Sequence, residues 1–376
     1  MQTQNFRESR GIAIANLANQ IRRIDRNEYR VVSQSGNGEY QVLNTELGWL
    51  CSCPDAIYRD VKCKHIWAVD LSQKIRREVR KAVVVEPVTI NECGLCHSKN
   101  LKRSGIRRNR TGDIQRFLCG DCKRTFSLNL GFEKMKHDPK GVTMAMQLYF
   151  SGESLRKTAE SLKLIGMEVS YRTILNWIRK YVGLMDKYLD QITPNVSDRW
   201  RADEVYVKFR GNRKYLFAMM DDETRFWIAQ EVSSVKEGAN ASRLFMQAKR
   251  VAGKSPSTLI TDALGSYSMA AKLDFPNADH IREIALDGVI HNNKMERMNG
   301  EIRDREKVMR GLKNANTPVF KGLQIYHNHI RPHMSLDGKT PGEVAGIKVE
   351  GENKWLTLIQ NASRVDSDSR ERKVEG

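Results

Sequence analysis

The chain has 376 residues, 63 Lys and Arg against 45 Asp and Glu, a formal net charge of +18 and a hydrophobic share of 40%. That length predicts two or more domains, and that charge predicts a polyanionic partner. No apolar run approaches the ~18 residues of a membrane-spanning helix and the first residues hold no apolar signal core, which argues against a membrane partner and predicts a cytoplasmic, nucleoid-associated protein without disulfides.

Residues 1–26 read as an N-terminal helix with Ile12, Leu17, Ile21 and Ile24 on a loosely apolar face. The segment 27–75 carries Cys51, Cys53, Cys63 and His65 as Cys-x-Cys-x9-Cys-x-His. Alternation from Tyr29 and from Tyr40, around Gly36-Asn37-Gly38, reads as a hairpin, and Cys63 onward reads as a helix start. A basic stretch, 74–81, then leads to Pro87. Residues 88–130 carry Cys93, Cys96, Cys119 and Cys122 as Cys-x-x-Cys-x22-Cys-x-x-Cys. Two sets of four soft or borderline ligands are what two closed, structural Zn²⁺ sites require; redox chemistry or reduced core thiols are the alternatives. His97, beside Cys96, is a weaker ligand choice because four cysteines already suffice.

Between the second set's cysteine pairs lie Lys99, Lys102, Arg103, Arg107, Arg108, Arg110 and Arg116, opposed only by Asp113. They read as a flexible basic loop on a zinc-fixed base, with Arg107, Arg108 and Arg110 touching phosphates without reading bases. The first module resembles the SWIM zinc finger, a nucleic-acid or protein interaction module. The second resembles a zinc ribbon.

Residues 134–186 read as three helices, from Thr143, from Ser154 and from Tyr171, the last N-capped by Ser170 after a turn at Gly166. Ile174, Trp177, Ile178 and Val182 mark its buried side and leave Tyr171, Arg172, Asn176 and Arg179 outward. This is the outline of a helix-turn-helix, whose last helix enters the major groove.

From 198 to 346 the pattern turns α/β. Strands at Tyr206, Tyr215 and Phe226 form a meander broken at Gly211-Asn212 and at 221–224, a helix runs from Ala239 to Val251, and a strand holds Leu259 and Ile260. The β-β-β-α-β-α order is the layout of an RNase H-like core. The chain is thus expected to be multidomain α/β, an RNase H-like catalytic core preceded by two small zinc modules and a helix-turn-helix. Residues 347–376 read as a polar, frayed tail.

Asp203 lies on the first of these strands, Asp262 ends the Leu259-Ile260 strand, and Glu296 opens a helix read as Asn293 to Leu312. Three acids so placed can converge on two Mg²⁺ ions and drive in-line displacement at phosphodiesters. Other acids compete for the role. Strand alternation turns Glu204 away from Asp203. Asp221 and Asp222 serve the turn. Glu301 lies about 140° round the helix from Glu296. Gly338-Lys339-Thr340 lacks the upstream glycine of a phosphate loop, His333 standing in its place.

Residues 88–345 resemble a DDE transposase of a prokaryotic insertion sequence, of the IS6-type group or its archaeal relatives. The stretch from Ser154 to Ile178 is similar to that family's helix-turn-helix, Trp200-Arg-Ala-Asp203-Glu-Val-Tyr-Val to its first acid motif, and Thr261-Asp262-Ala-Leu-Gly-Ser-Tyr to its second. Asn293-Lys-Met-Glu296-Arg-Met-Asn-Gly-Glu-Ile-Arg303 resembles its glutamate helix, and Tyr326-His-Asn-His-Ile-Arg-Pro-His333 the usual end of the domain. The SWIM-like module departs from the family's compact members. The resemblance implies that Asp203 is shared by two Mg²⁺ ions, Mn²⁺ being an alternative, with Asp262 and Glu296 each completing one site. Arg303, two turns past Glu296, would touch the DNA end. It further implies binding of terminal inverted repeats and target DNA, transfer of a 3′-OH without a covalent protein–DNA bond, and at least a homodimer in a synaptic complex. A non-cutting DNA-binding regulator and an RNase H-like hydrolytic nuclease are the alternatives.

Overall fold

The computed structural model describes residues 2–374 apart from 18–19, 25–27, 35, 37, 46–47, 60, 80–81, 94, 110–111, 128–129, 134, 263, 283–292 and 310–316. The chain divides into two compact units, Met1–Ala82 and Val83–Gly376.

The first unit runs α1 (Gln2–Ala15), β1 (Ile21–Arg23), β2 (Glu28–Val32), β3 (Glu39–Thr45), β4 (Gly48–Cys51), α2 (Pro54–Arg59) and α3 (Lys64–Val79). The four strands form one antiparallel meander in chain order. On β2, alternation buries Tyr29 and Val31, as a half-covered sheet demands. Helix α1 packs on α3 closely enough that a Cβ at Gly11 would meet Cβ of Trp67 at 2.5 Å. The expected helix over 1–26 is corrected here. It ends at Ala15, and Ile21 sits in β1 opposite Val31. The loose periodicity also misjudged the face, since Ile14 is buried while Ile12 and Leu17 are exposed.

The second unit begins with β5 (Val83–Val85) and a three-stranded antiparallel sheet, β6 (Leu101–Asn109), β7 (Gly112–Cys119) and β8 (Thr125–Ser127). Most of the basic span between the cysteine pairs is therefore a β6–β7 hairpin with a register shift between Arg103 and Ile106, rather than a flexible loop. Strand β6 is largely polar and its Ile106 is exposed, so side-chain periodicity on that strand carried no sign of a hairpin held by its backbone ladder. Next come α4 (Pro139–Ser151), α5 (Leu155–Leu164) and α6 (Tyr171–Leu189). Asp138, Ser154 and Ser170 N-cap them, accepting from the backbone N–H of Lys140, Lys157 and Thr173. Ile174, Trp177, Ile178 and Val182 are buried, as the spacing predicts.

The central sheet follows: β9 (Arg199–Phe209), β10 (Asn212–Asp221), β11 (Trp227–Ser233), then α7 (Gly238–Ala252), β12 (Thr258–Thr261), α8 (Gly265–Asp274) and β13 (Asp279–Arg282). Its order is β11-β10-β9-β12-β13. The first three strands are antiparallel, and β12 runs parallel to both its neighbours. Phe209 pairs with Asn212, so the β9–β10 turn is Arg210-Gly211, both at positive φ (49° and 82°) as a two-residue hairpin turn needs. Beyond the sheet lie α9 (Asn293–Met309), α10 (Pro318–Ile325), a π-helical turn at Tyr326–Ile330, α11 (Pro341–Val344), β14 (Ile347–Val349) and α12 (Lys354–Val374).

The sheet separates two apolar cores. On one side Val205, Val207 and Phe209 pack with α9 residues Met295, Met298 and Ile302 and with α4, α6, α10 and α12. On the other, Trp200, Ala202, Phe217 and Met219 pack under α7 and α8. The expected frayed tail is a second correction. Strand β14 pairs in parallel with β5, and Trp355, Leu358, Ile359 and Ala362 of α12 lie buried in the first core. Those four residues repeat at helical spacing; the flanking charges masked the signal.

Candidate active site and metal centres

Asp203 and Asp262 meet because one strand is shorter than its neighbour. Strand β12 pairs with β9 only as far as Ile260 opposite Arg201 and ends at Thr261. Asp262 therefore leaves the sheet just beside Asp203. The carboxylates of Asp203, Glu204 and Asp262 offer oxygens all within 4.8 Å of one another. Alternation does send Glu204 to the opposite face, where it takes a hydrogen bond from the Tyr267 hydroxyl at 3.0 Å and an ion pair from Lys236 at 2.5 Å. Yet its tip still reaches the cluster, because no strand fills the gap beyond Thr261. The expectation that Glu204 turns away is thus correct for the backbone and wrong for the carboxylate.

Asp203 is held on both oxygens. Its Oδ1 accepts the Glu204 backbone N–H at 2.8 Å, and its Oδ2 accepts Asn299 Nδ2 at 2.9 Å. Burial pushes its carboxyl up to about 7; Glu204 and Asp262 add to the rise, while the Glu204 N–H and the charge of Arg303 oppose it. Asn299 comes from α9, so that helix reaches the acid cluster from the side opposite Lys236. Glu296 lies in the first turn of the same helix, three residues before Asn299, and is exposed outside the three-acid cluster. Arg303 is exposed one turn beyond Asn299. The start of α9 is pinned by Lys294, which donates to Asp222 Oδ1 at 2.8 Å and to its backbone carbonyl at 2.7 Å. Asp222 also pairs with Arg199 and with the buried Arg201. Asp221 does serve the turn, accepting from Ser197 and from Thr224. Glu301 pairs with Arg331 at 2.7 Å, away from the cluster.

The donor set suits a hard divalent cation. It offers carboxylate oxygens in mutual repulsion, plus Asn299 Oδ1, which is buried and has no hydrogen-bond partner among the described residues. Sequence reasoning missed Glu204, Asn299 and Lys294. Only the helical spacing from Glu296 to Asn299 and Arg303 offered a hint, since these residues share a face.

Both zinc sets close. Cys51, Cys53, Cys63 and His65 gather their ligand atoms within 4.8 Å, and so do Cys93, Cys96, Cys119 and Cys122. The pairs Cys93–Cys122 and Cys96–Cys119 stand 3.7 and 3.6 Å apart at sulfur. Two sulfurs of a tetrahedral site with Zn–S near 2.3 Å are about 3.8 Å apart, so the spacing fits zinc and is far too long for a disulfide. In the first set His65 turns Nδ1 toward Cys51 at 3.8 Å and Cys63 at 3.9 Å. His97 faces Glu92 instead and takes no part.

The remaining predicted contacts are solvent-facing. Tyr171, Arg172, Asn176 and Arg179 are exposed along α6, with the Arg156 guanidinium 5.8 Å from the Tyr171 ring centre. Arg107 and Arg108 are exposed on β6; Arg110 lies outside the described residues. Among the described residues no helix is long and apolar enough to cross a membrane.

A five-stranded sheet whose first three strands form a meander, extended by two parallel strands, with an acid on the first strand and another at the end of the fourth, has the layout of an RNase H-like fold. Residues 197–333 match the DDE_Tnp_IS240 family model, described as a DDE domain. The chain is 25% identical over 206 residues to the transposase for insertion sequence-like element IS431mec of Staphylococcus aureus, across 52% of this chain and 87% of that one. The transposase for insertion sequence element IS257 in transposon Tn4003, also of Staphylococcus aureus, matches to the same extent. Among solved structures, the HTLV-2 integrase catalytic core domain in complex with magnesium aligns at 17% identity and a TM-score of 0.31, over 41% of this chain and 98% of that one. The catalytic core domain of BIV integrase aligns at 14% identity and a TM-score of 0.31, over 40% and 93%. Residues 197–333 are thus similar to a DDE domain, and about half of the chain is similar to insertion-sequence transposases.

Proposed function

We propose that the chain is a DNA transposase that binds the ends of its element, cleaves a phosphodiester there and joins the freed 3′-OH to target DNA. The observation that carries this reading is the meeting of Asp203 and Asp262 where β12 stops short of β9. Asp203 would be the ligand shared by two Mg²⁺ ions, with Asp262 and Glu296 completing one site each. When bound, such a pair acidifies a water and offsets the charge that develops on the phosphate. Glu204 is a poorer third ligand, because Lys236 and Tyr267 already occupy both its oxygens. Glu296 is exposed on the face of α9 that carries Asn299 to Asp203, so a small adjustment of the helix start would bring it in. Arg303, on the same face, would hold the phosphate of the DNA end.

Hydrolysis breaks the P–O3′ bond and leaves a 3′-OH. That hydroxyl then attacks a target phosphate and displaces a target 3′-oxygen, so no covalent bond to protein is needed. The helix-turn-helix of residues 134–186 would read the terminal inverted repeats with Tyr171, Arg172, Asn176 and Arg179. Arg107, Arg108 and Arg110 would add phosphate contacts from the zinc-ribbon-like hairpin, and the SWIM-like unit a further interaction surface. Pairing two ends requires at least a dimer. The protein would work on the chromosome, in the nucleoid.

The test is a strand-transfer assay with labelled DNA from the flanks of the gene, zinc-loaded protein and Mg²⁺, beside a Glu296→Gln variant. Joined products from the wild type alone are expected. Nicks without joining would replace the reading with a hydrolytic nuclease, and binding with neither with a regulator.

A further inference from the structure

The α7–α8 face of the central sheet is only partly covered. Alternation places Trp200, Ala202, Glu204, Tyr206 and Lys208 of β9 on that side. Trp200 and Ala202 lie under the helices in the core, and Glu204 meets Tyr267 of α8 at their edge. Beyond that edge Tyr206 is 48% exposed and Lys208 is exposed too. The register sets Tyr206 opposite Tyr215 and Lys208 opposite Arg213 on β10.

The two tyrosine rings lie 4.8 Å apart and tilted by 47°. Lys236 Nζ stands 5.1 Å from the Tyr206 ring centre and 4.9 Å from that of Tyr215. The same ammonium is the one that pairs with Glu204. The Arg213 guanidinium lies 6.0 Å from the Tyr206 ring centre. Among the described residues, Glu204 pairs with Lys236, and Glu306 accepts the Lys208 backbone N–H at 2.5 Å. A half-exposed aromatic pair, with Arg213 and Lys236 over the Tyr206 ring and Lys208 beside it, thus begins one side chain away from the acid cluster.

A solvated tyrosine needs no explanation by itself. This one is set apart by its surroundings: two rings and three cations, on the single strip of sheet that continues from Glu204. A polynucleotide cut at Asp203 and Asp262 must run on past the cut, carrying a phosphate and a base at every step. Cations beside an open ring are what such a strand meets in proteins that hold unpaired nucleotides. A fully stacked duplex has no base face to offer.

Building on the DNA-cleavage reading, we infer that this strip is a stacking platform for an unpaired DNA base next to the scissile phosphate. The base lies on Tyr206, and Arg213 and Lys208 hold the neighbouring phosphates. The platform favours frayed or single-stranded ends over closed duplex.

The test uses the full zinc-loaded chain and Ca²⁺, which is added in place of Mg²⁺ to suppress cutting. A single-stranded oligo-dT carrying 5-iododeoxyuridine is photocrosslinked to wild type and to Asp203→Asn, and the site is mapped by mass spectrometry. Affinity for the same strand and for a closed duplex is measured with Tyr206→Ala and Tyr206→Phe. Tyr206 is half exposed, so neither variant should disturb folding. A crosslink on Tyr206 is expected, with about a fivefold or larger loss of single-strand affinity in Tyr206→Ala, none in Tyr206→Phe and no change for duplex. Crosslinks confined to other residues, or equal affinities for wild type and Tyr206→Ala, overturn the platform. Cleavage with Mn²⁺ is scored separately. Wild type that cuts without a Tyr206 crosslink removes the platform alone, whereas Asp203→Asn that still cuts removes the cleavage reading and leaves a single-strand site.

Discussion

Replacing Asp203 by Asn should make the metal-free protein more stable at alkaline pH while abolishing its chemistry. In the folded chain burial lifts this carboxyl from an ordinary 3.8 to about 7. Between those values the unfolded chain has released the proton and the folded chain still holds it. Stability therefore falls as pH rises from about 4 to about 7, and levels off above. At about 1.4 kcal/mol per pH unit the full cost is about 4 kcal/mol, an upper bound because the carboxylate keeps some contact with water. Asn cannot ionise and escapes that cost. It also fits the local hydrogen bonding: if the Asn299 amide flips, its unpartnered Oδ1 can accept from the new side-chain amide. The assay is urea unfolding in buffer without Mg²⁺ or Mn²⁺, followed by tryptophan fluorescence. Trp200 and Trp227, both buried in the central sheet, are the reporters. The advantage of Asp203→Asn should be small at pH 4.5 and grow toward pH 8. Added Mn²⁺ should stabilise the wild type and leave the variant unchanged. An advantage independent of pH, or a variant less stable than wild type at pH 8, would refute the account of Asp203.

Asp222→Asn leaves the buried Arg201 and the helix anchor Lys294 without their carboxylate, and should cost about 3–5 kcal/mol in the same unfolding assay. Cys93→Ser should lower the zinc content from about two equivalents per chain to about one by metal analysis, with the first site retained. Leu358→Ala in α12 should destabilise by about 2–5 kcal/mol, where a frayed tail would show no change. In DNA titrations Arg108→Ala should weaken all sequences alike and reduce the salt slope by about one, whereas Asn176→Ala should cost about 1–3 kcal/mol of discrimination at one base pair.

The features legible in the sequence were those written as local repeats. The buried face of α6, its Ser170 cap, the β9–β11 meander and the two Cys/His clusters follow from spacing, because each is written in short sequence patterns. Asp203 and Asp262 could be paired in advance because a strand end is a local signal as well. What escaped was set by the partner rather than by the segment. Glu204 reaches the cluster only because β12 is short, which β9 does not record. Asn299 matters because of where α9 lands. Strand β6 of the hairpin is largely polar, and the four core residues of α12 lie in a short apolar stretch flanked by charges. The helix over residues 1–26 was overextended because Ile21 suits a strand edge as well as a helix stripe.

The pairing of β5 with β14 has a bearing on how this chain was assembled. The strand that precedes the zinc-ribbon-like hairpin is already part of the larger unit's core, stitched to β14 and to Asn361 of α12 through the Glu86 carbonyl. The segment that follows the hairpin is fastened just as firmly, by Tyr181 and Lys180 donating to the Gly131 carbonyl. The hairpin is thus an outboard arm slung between two fixed posts. Such an arm can be exchanged, lengthened or lost while the posts stay where they are, so that under the proposed function DNA preference and catalysis would be free to evolve on separate schedules.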